Sequence, residues 1–255
     1  MSIVLNEYEW AEKAIANHSL GTKPMETLNR ISRYYYANKY SKPDIRRLLD
    51  SFMLQCNSSV SLVKWSDTLD KLAKNSSKYP LVCVSCIKVT DTEMDAIKNL
   101  KGKQLQRLAF TLLCVAKYWD VVSDKNNHWV TTPDKEIMKM ANINTSIKRQ
   151  SAMYGELRNM GLIKFSKRID NLNVQVCFMS PGQVVLEVHD FRNLGYQYLR
   201  YNGEKYFECE NCGITVKMQN PNKGRPPKYC PDCAVELHTR QIVDSVMRQR
   251  KANKA

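Results

Sequence analysis

Glycine is scarce in this sequence, with 9 residues among 255. Cofactor and phosphate loops depend on closely spaced glycines, because glycine lets the backbone approach a phosphate and adopt positive φ angles. The sequence also contains no nucleophile elbow and no metalloprotease helix motif. Its four histidines lie far apart and join no recognisable carboxylate cluster. We therefore expect a protein that is not an enzyme.

Long apolar runs are also missing. No stretch approaches the roughly 18 apolar residues that a membrane-spanning helix needs. The first residues carry Glu7, Glu9 and Glu12, whereas a secretory signal has a basic start and an unbroken apolar run. These absences predict a cytoplasmic protein with no membrane partner. Disulfides are rare in that compartment, so the nine cysteines, an odd number, need another explanation.

Acidic residues are few relative to basic ones. There are 25 Asp and Glu against 39 Lys and Arg, which gives a formal net charge of +14. Hydrophobic residues make up 43% of the chain, so it can bury a sizeable core and is not a disordered tail. A protein this basic usually binds a polyanion, either nucleic acid or an anionic membrane surface.

Residues 1–80 have the periodicity of a helical bundle-like module. The predicted helices cover 7–17, 24–38, a stretch after residue 41, and a stretch around 62–72. Ser41 and Asp44 can form a capping box around Pro43, and Thr22 is a candidate cap for the second helix. We expect this module to support dimerisation or to bind a partner. The valine-rich run at 81–89 predicts a strand, and Thr90 with Glu93 predicts another capping box.

Residues 81–180 predict a winged-helix domain, a variant of the helix-turn-helix. The predicted order is a long helix at 103–122, a short strand at 129–130, a helix after Thr132, a helix at 145–160 and a hairpin of strands at 162–168 and 173–179. Between Lys103 and Phe178 there are 12 Lys or Arg and 6 Asp or Glu. This excess of positive charge favours contact with nucleic acid.

The helix at 145–160 is the predicted recognition helix, because such helices read the major groove with their N-terminal residues. Candidate base and phosphate contacts in its first turns are Asn144, Thr145, Ser146, Lys148, Arg149 and Gln150. Candidate phosphate contacts on the wing are Lys164, Lys167 and Arg168. Two alternatives stay open: a solvated helix face, and a wing that binds protein.

Residues 181–255 predict a β-hairpin around Asn202-Gly203, a four-cysteine zinc ribbon and a basic C-terminal helix. Two Cys-x2-Cys pairs, seventeen residues apart, have the spacing of a structural site for one Zn²⁺ ion. Iron is the main competitor, and His238 is an alternative ligand. The predicted ligands are Cys209, Cys212, Cys230 and Cys233.

The segment between the two cysteine pairs is basic. Gly224-Arg225-Pro226 is similar to the core of an AT-hook, in which an arginine enters a narrow minor groove. General phosphate contact and a plain rigid loop are the alternatives for this short motif. The candidate contacts here are Lys223, Arg225 and Lys228.

The whole layout resembles uncharacterised proteins of prophages and mobile elements in low-GC Gram-positive bacteria. The resemblance rests on the stretch from Pro133 to Ala141 and on the ending Gly-Arg-Pro-Pro-Lys-Tyr-Cys-Pro-Asp-Cys, which closes at Cys233. The winged-helix part is similar to phage replication-initiation and replisome-organiser proteins. The resemblance implies a place in the DNA metabolism or regulation of such elements, in the cytoplasm of a bacterial host, and no particular reaction.

Together these observations predict a mainly α protein with a small β content, of the α+β class. We expect it to bind double-stranded DNA as a regulator or replication initiator. Two rival hypotheses are a phage factor directed at a host protein complex, such as a polymerase, nuclease or defence system, and an RNA-binding regulator.

Overall fold

The computed structural model describes residues 3–167, 173–219 and 227–252. The chain divides into two compact units, residues 1–86 and 87–255. Helices hold 54% of the chain and strands 11%, which confirms the mixed class predicted from the sequence. Among the helices in the described ranges, none has both the length and the apolar character needed to cross a membrane.

The first unit is a helical bundle. Its helices are α1 (Glu7–Ala16), α2 (Pro24–Ala37), α3 (Lys42–Cys56) and α4 (Leu62–Asn75). Each contributes one apolar face to a shared core, as the helical periodicity of the sequence predicts. Side chains that are fully buried in this core include Ala11, Leu28, Ile31, Ile45, Leu49 and Leu69.

Local capping explains where these helices begin. The Ser41 hydroxyl accepts a hydrogen bond from the backbone N–H of Asp44 (3.3 Å), so Ser41 caps α3 as predicted. Pro43 lies in the first turn, where its missing N–H costs no hydrogen bond. The prediction for Thr22 is wrong, because Lys23 occupies the cap position of α2 and makes no side-chain capping bond. Pro24 defines the start of that helix instead.

A buried ion pair network crosses the first unit. Glu7 is 5% exposed, and its Oε1 accepts hydrogen bonds from Arg30 and Arg33, each at 2.9 Å. Its Oε2 accepts the backbone N–H of Val82 (3.0 Å). Burial raises the pKa of Glu7, but the bonds from Arg33, Val82 and Arg30 outweigh burial and hold the pKa below its ordinary value. The carboxylate therefore joins α1, α2 and the segment after α4.

We predict that Glu7→Gln lowers the free energy of unfolding of the first unit by about 2 kcal/mol, because two buried arginines lose their charged partner. Since the folded pKa is depressed, the contribution of Glu7 is complete above its ordinary pKa of 4.5 and is lost as pH falls through the folded value. Urea unfolding at pH 7 and pH 3 measures both effects. Glu9→Gln, which changes an exposed carboxylate on the same helix, is the control. An equal loss at both pH values would contradict the prediction.

The strand predicted at 81–89 is shorter in the structure, because residues 81–86 belong to the first unit and residues 87–89 to the second. Val82 and Val84 bond to the start of α1 and to the chain just before it: Glu7 N–H donates to Val82 O, and Val84 N–H donates to Leu5 O, each at 2.8 Å. The strand proper begins only at Ile87, which is the first residue of the second unit.

The second unit is built around one long buried helix, α6. Its elements in chain order are β1 (Ile87–Thr90), α5 (Asp91–Lys98), α6 (Lys103–Ser123), β2 (Trp129–Val130), α7 (Asp134–Met140), α8 (Ile147–Asn159), β3 (Ile163–Phe165), β4 (Val174–Val176), β5 (Val184–Val188), α9 (Leu194–Tyr201), β6 (Tyr206–Glu208), β7 (Thr215–Lys217) and α10 (Pro231–Ala252). Helix α6 packs against α5, α7, α8 and α9 and against three of the strands.

Three small antiparallel sheets complete this unit in the described residues. Strand β4 lies between β2 and β3, with Val174 paired to Val130 and to Phe165. Strand β1 pairs with β5, so that residues assigned by the sequence to a second and a third module share one sheet. Strands β6 and β7 form a hairpin that carries two of the cysteines. The predicted capping box at Thr90 and Glu93 is confirmed at the start of α5.

The hairpin predicted around Asn202-Gly203 is wrong. Residues 194–201 form helix α9, whose buried Leu194 and Tyr198 pack against α6. Gly203 has φ +80° and ends the helix, with Glu204 N–H donating to Leu199 O (3.0 Å). A helix end and a tight hairpin both need a residue with positive φ, so Asn-Gly alone does not distinguish them.

Candidate metal centre and candidate nucleic-acid interface

Four cysteines from two separate segments meet at one point in the second unit. Cys209 follows β6, and Cys212 lies in the turn that leads to β7. Gly213 there has φ +74°, a positive angle that glycine adopts without strain. Cys230 precedes α10 and Cys233 lies in its first turn. The backbone N–H of Glu210 donates to Lys228 O (2.9 Å), which ties the two segments together.

The geometry of the four sulfur atoms fits a tetrahedral metal ion. All four lie within 4.8 Å of one another, and Cys212 Sγ is 3.8 Å from Cys230 Sγ. A Zn–S bond of about 2.3 Å implies a spacing of about 3.8 Å between sulfurs in a regular tetrahedron. All four cysteines are free thiols, and three of them are buried. This cluster can therefore hold a metal ion.

The protonation of the cluster also suits a cation. Burial raises the pKa of Cys209, but backbone hydrogen bonds from Cys230, Cys212 and Asn211 outweigh burial and lower the pKa to about 6. The hydrogen bond from Asn211 lowers the pKa of Cys233, yet burial and the neighbouring sulfurs raise it to about 12. Burial raises the pKa of Cys212 as well. One thiolate therefore forms readily, and a cation between the sulfurs favours ionisation of the others.

The module around the cysteines has little apolar core of its own. Among the described residues, Ile214 and Val216 are the apolar side chains packed against the cysteine cluster besides the cysteines themselves. Asn211 Nδ2 donates to Cys233 Sγ (3.3 Å), and the Arg192 guanidinium donates to Cys212 O. So small a core stabilises a hairpin only weakly, because two-stranded hairpins are marginal in water.

Helix α8 presents a polar first turn to solvent and buries its later apolar face. Ser146 caps it, with its hydroxyl accepting the N–H of Arg149 (3.4 Å). Met153 and Leu157 are fully buried, and Tyr154 OH donates to Asp134 (3.1 Å) near the start of α7. Helices α7 and α8 are joined by a short turn at 141–146. This packing leaves the N-terminal end of α8 exposed.

The predicted contact residues of this helix divide into two groups. The exposed ones are Asn144, Ser146, Lys148 and Arg149. Thr145 and Gln150 are only half-buried, and Gln150 Nε2 donates to Thr145 O (2.9 Å), which stabilises the turn. Arg149 also forms an ion pair with Glu156 two turns later, with Nη1 and Oε1 2.8 Å apart.

Ile147 is a surface feature that the sequence analysis missed. This side chain is 81% exposed, although its position in an apolar–polar pattern is compatible with the core. It lies in the first turn of α8, between Ser146 and Lys148.

The remaining predicted contacts are basic side chains of the predicted wing and of the segment between the two cysteine pairs. Lys164 on β3 and Lys167 just after it are exposed. Lys228 is exposed and forms an ion pair with Glu210 (3.1 Å), so its charge is partly compensated. Arg168, Lys223 and Arg225, together with the Gly-Arg-Pro motif, lie outside the described residues. The structure therefore brings Lys164 and Lys167 to the hairpin that follows α8.

Comparisons of this chain with protein-family models, with curated proteins and with solved structures found no match. The features of this chain that bear on its function are the cysteine cluster and the exposed first turn of α8.

Proposed function

We propose that this protein binds double-stranded DNA through a winged helix and carries a zinc ribbon that holds one structural Zn²⁺ ion. The observation that carries the proposal is the N-terminal end of α8 and the turn before it, where Asn144, Ser146, Lys148 and Arg149 are all exposed. Amide, hydroxyl and basic side chains are the groups that bond base edges and phosphates in the major groove. The exposed Ile147 adds an apolar group of the kind that contacts the methyl group of thymine.

Charge distribution supports the same proposal. Residues 87–255 contain 27 Lys and Arg against 17 Asp and Glu, while residues 1–86 contain 12 against 8. Most of the positive excess thus belongs to the unit that contains α8. Lys164 and Lys167 extend the basic surface onto the hairpin of β3 and β4, where the wing of such a domain contacts the backbone of the duplex.

The role that we propose is regulatory or initiating, without catalysis, in a prophage or mobile element. A closed set of four thiolates leaves no position for a substrate, so the zinc ion would stabilise the ribbon and take no part in a reaction. Its ligands would be Cys209, Cys212, Cys230 and Cys233. The spacing expected between four sulfurs around a zinc ion matches the spacing found in the cluster.

A second candidate function is a protein-directed factor. Met160 is exposed at the far end of α8, and Phe165 is exposed on the wing. The guanidinium of Arg158 lies over the Phe165 ring, 5.6 Å from its centroid. Exposed aromatic and Met side chains with a neighbouring arginine are enriched at protein interfaces. This surface favours a host protein as an alternative ligand.

Fluorescence anisotropy with labelled duplex DNA, single-stranded DNA and RNA of equal length, at equal salt, tests the proposal. We expect the tightest binding to the duplex. Tighter binding to RNA would favour an RNA-binding regulator. Weak binding to all three polymers, with one strong partner captured from host lysate, would favour the protein-directed factor.

The Glu156 carboxylate is expected to weaken DNA binding. It pairs with Arg149 and adds a negative charge on the face of α8 that would meet the phosphates. We predict that Glu156→Gln raises duplex affinity about three-fold at low salt, because removing a surface charge of this kind is worth less than about 1 kcal/mol. Asp67→Asn, an equal charge change on α4 of the first unit, is the control. Unchanged affinity for Glu156→Gln would place the bound polymer away from this face.

A further inference from the structure

The turn between α7 and α8 is held by Asn142, whose φ of +56° is the left-handed conformation that asparagine tolerates well. Its N–H donates to Lys139 O (3.1 Å) at the end of α7. Its carbonyl oxygen accepts a hydrogen bond from Arg107 of α6 (3.0 Å). The chain continues through the buried Ile143 to the cap of α8. Asn142 therefore determines the direction in which α8 begins.

The side chain of Asn142 also caps a different helix. Its Oδ1 accepts the N–H of Tyr196 (3.2 Å), which is the third residue of α9. Helix α9 has no side-chain capping bond from its own cap residue, Asn193, which is itself left-handed with φ +54°. The backbone oxygen of Asn193 shares the Tyr196 N–H (2.9 Å) with Asn142 Oδ1. An N-cap oxygen normally bonds the second or third N–H of the helix that follows it. Here that bond comes from a residue 54 positions earlier.

Asn193 extends the connection to the cysteine module. Its Oδ1 accepts from Asn142 Nδ2 (2.8 Å), and its own Nδ2 donates to the backbone oxygen of Thr215 (3.0 Å). Thr215 is buried and is the first residue of β7, three positions after Cys212. The preceding Arg192 donates to Cys212 O. One amide side chain therefore bridges the turn before α8 and the hairpin that carries two cysteines.

The first turn of α9 lies so close to the α7–α8 turn that a small movement of either displaces the other. A Cβ atom added at Gly195 would be 2.0 Å from the backbone oxygen of Ala141. Glycine is thus required at this contact. Close-packed backbone of this kind transmits a displacement, because no space is left to absorb it.

Resting on the proposed function of α8, we infer that Asn142 and Asn193 are positioning residues that couple metal binding at the four cysteines to nucleic-acid binding by α8. Loss of the metal loosens the β6–β7 hairpin, releases Thr215 O from Asn193, and frees the turn that aims α8. Duplex affinity then falls although none of the cysteines contacts the DNA. Because coupling between two binding sites is reciprocal, bound duplex tightens metal binding by the same factor.

The test compares the full-length wild-type chain with Asn193→Gly and Asn202→Ala, each loaded with zinc and then treated with a chelator. Glycine tolerates the left-handed φ at position 193, so this change removes the bridge without adding backbone strain. Asn202 lies at the other end of α9, and the side-chain bonds described for it are to Tyr198 of the same helix, so it is a matched control.

For the wild type and Asn202→Ala, we expect chelation to weaken duplex binding by at least about five-fold, the lower end of typical coupling between sites. Zinc-loaded Asn193→Gly should still bind one zinc ion per chain and should already show this loss, with less than about two-fold further loss on chelation. If chelation weakens binding equally in Asn193→Gly and in the wild type, Asn193 does not carry the coupling and the inference is wrong.

Amide hydrogen exchange at Ile143 and Tyr196, measured without nucleic acid, separates this inference from the proposed function. We expect chelation to accelerate exchange at both amides in the wild type, and both should exchange quickly in zinc-loaded Asn193→Gly. Unchanged exchange on chelation would overturn the coupling, whatever the duplex affinity. Accelerated exchange in a protein that binds no duplex would support the coupling and refute the proposed function of α8.

Discussion

Replacing Cys230 and Cys233 together with serine is expected to abolish metal binding and to unfold the β6–β7 hairpin together with the first turn of α10. The physical reason is the small core of this module, in which Ile214 and Val216 are the apolar partners of the cysteines among the described residues. Structural zinc contributes about 10–16 kcal/mol of apparent binding free energy in zinc-finger peptides at neutral pH. Without it, we expect the contacts of β6 and β7 with α9 to be too few to keep this hairpin folded, whereas the core around α6 remains intact.

Elemental analysis of the purified chain measures the metal, and amide exchange across residues 206–218 and 230–234 measures the local unfolding. We expect one zinc ion per wild-type chain and none in the double variant. Cys83→Ser with Cys86→Ser is a matched control, because it removes a third Cys-x2-Cys pair, which lies in the first unit. Zinc retained by the Cys230/Cys233 variant, or lost from the control, would contradict the assignment. Visible absorption of a ferric thiolate centre would identify iron in place of zinc.

Replacing Lys148 and Arg149 together with alanine is expected to weaken duplex binding about 100-fold at low salt. Both side chains are exposed in the first turn of α8, next to its capped N-terminus. Each can neutralise a phosphate or bond a guanine edge. Loss of two such contacts removes their attraction to the duplex and lowers the number of counterions released on binding. Neither side chain is part of the buried core, so the fold should be unaffected.

Lys71→Ala with Lys74→Ala is the control for this second prediction. These lysines are exposed on α4 of the first unit, so the control removes the same charge from a helix of a different unit. Anisotropy titration of one labelled duplex with all three proteins measures the difference. Equal affinities for the two double variants would mean that net charge alone drives binding, and that α8 does not read the DNA.

Local sequence patterns predicted much of this structure because their physical causes are local. Ser41 and Thr90 each start a helix by bonding an N–H three residues later, and both were recognisable from residue type and spacing. The four cysteines were recognisable for the same reason, since a Cys-x2-Cys turn depends on a few neighbouring residues. The convergence of the two pairs into one cluster follows from the ligand number that a tetrahedral metal requires.

Features that depend on distant parts of the chain could not be predicted in the same way. The strand at 87–90 pairs with residues about a hundred positions later, and its actual length follows from that pairing. Helix α9 was mistaken for a hairpin strand because Asn202-Gly203 suits both kinds of ending, and only packing against α6 distinguishes them. The Asn142–Asn193 bridge spans 51 positions and leaves no periodic pattern in the sequence.

The salt dependence of duplex binding tests the central claim most directly. Anisotropy titrations of random-sequence duplex DNA across a salt series give the slope of log affinity against log salt concentration. If Lys148, Arg149, Lys164 and Lys167 each contact a phosphate, the slope should be about −3.6 or steeper, because each contact adds about −0.9. The Lys148/Arg149 variant should have a slope shallower by about 1.8, while the Lys71/Lys74 control keeps the wild-type value. A slope near zero for the wild type, or an unchanged slope for the Lys148/Arg149 variant, would contradict DNA binding through α8.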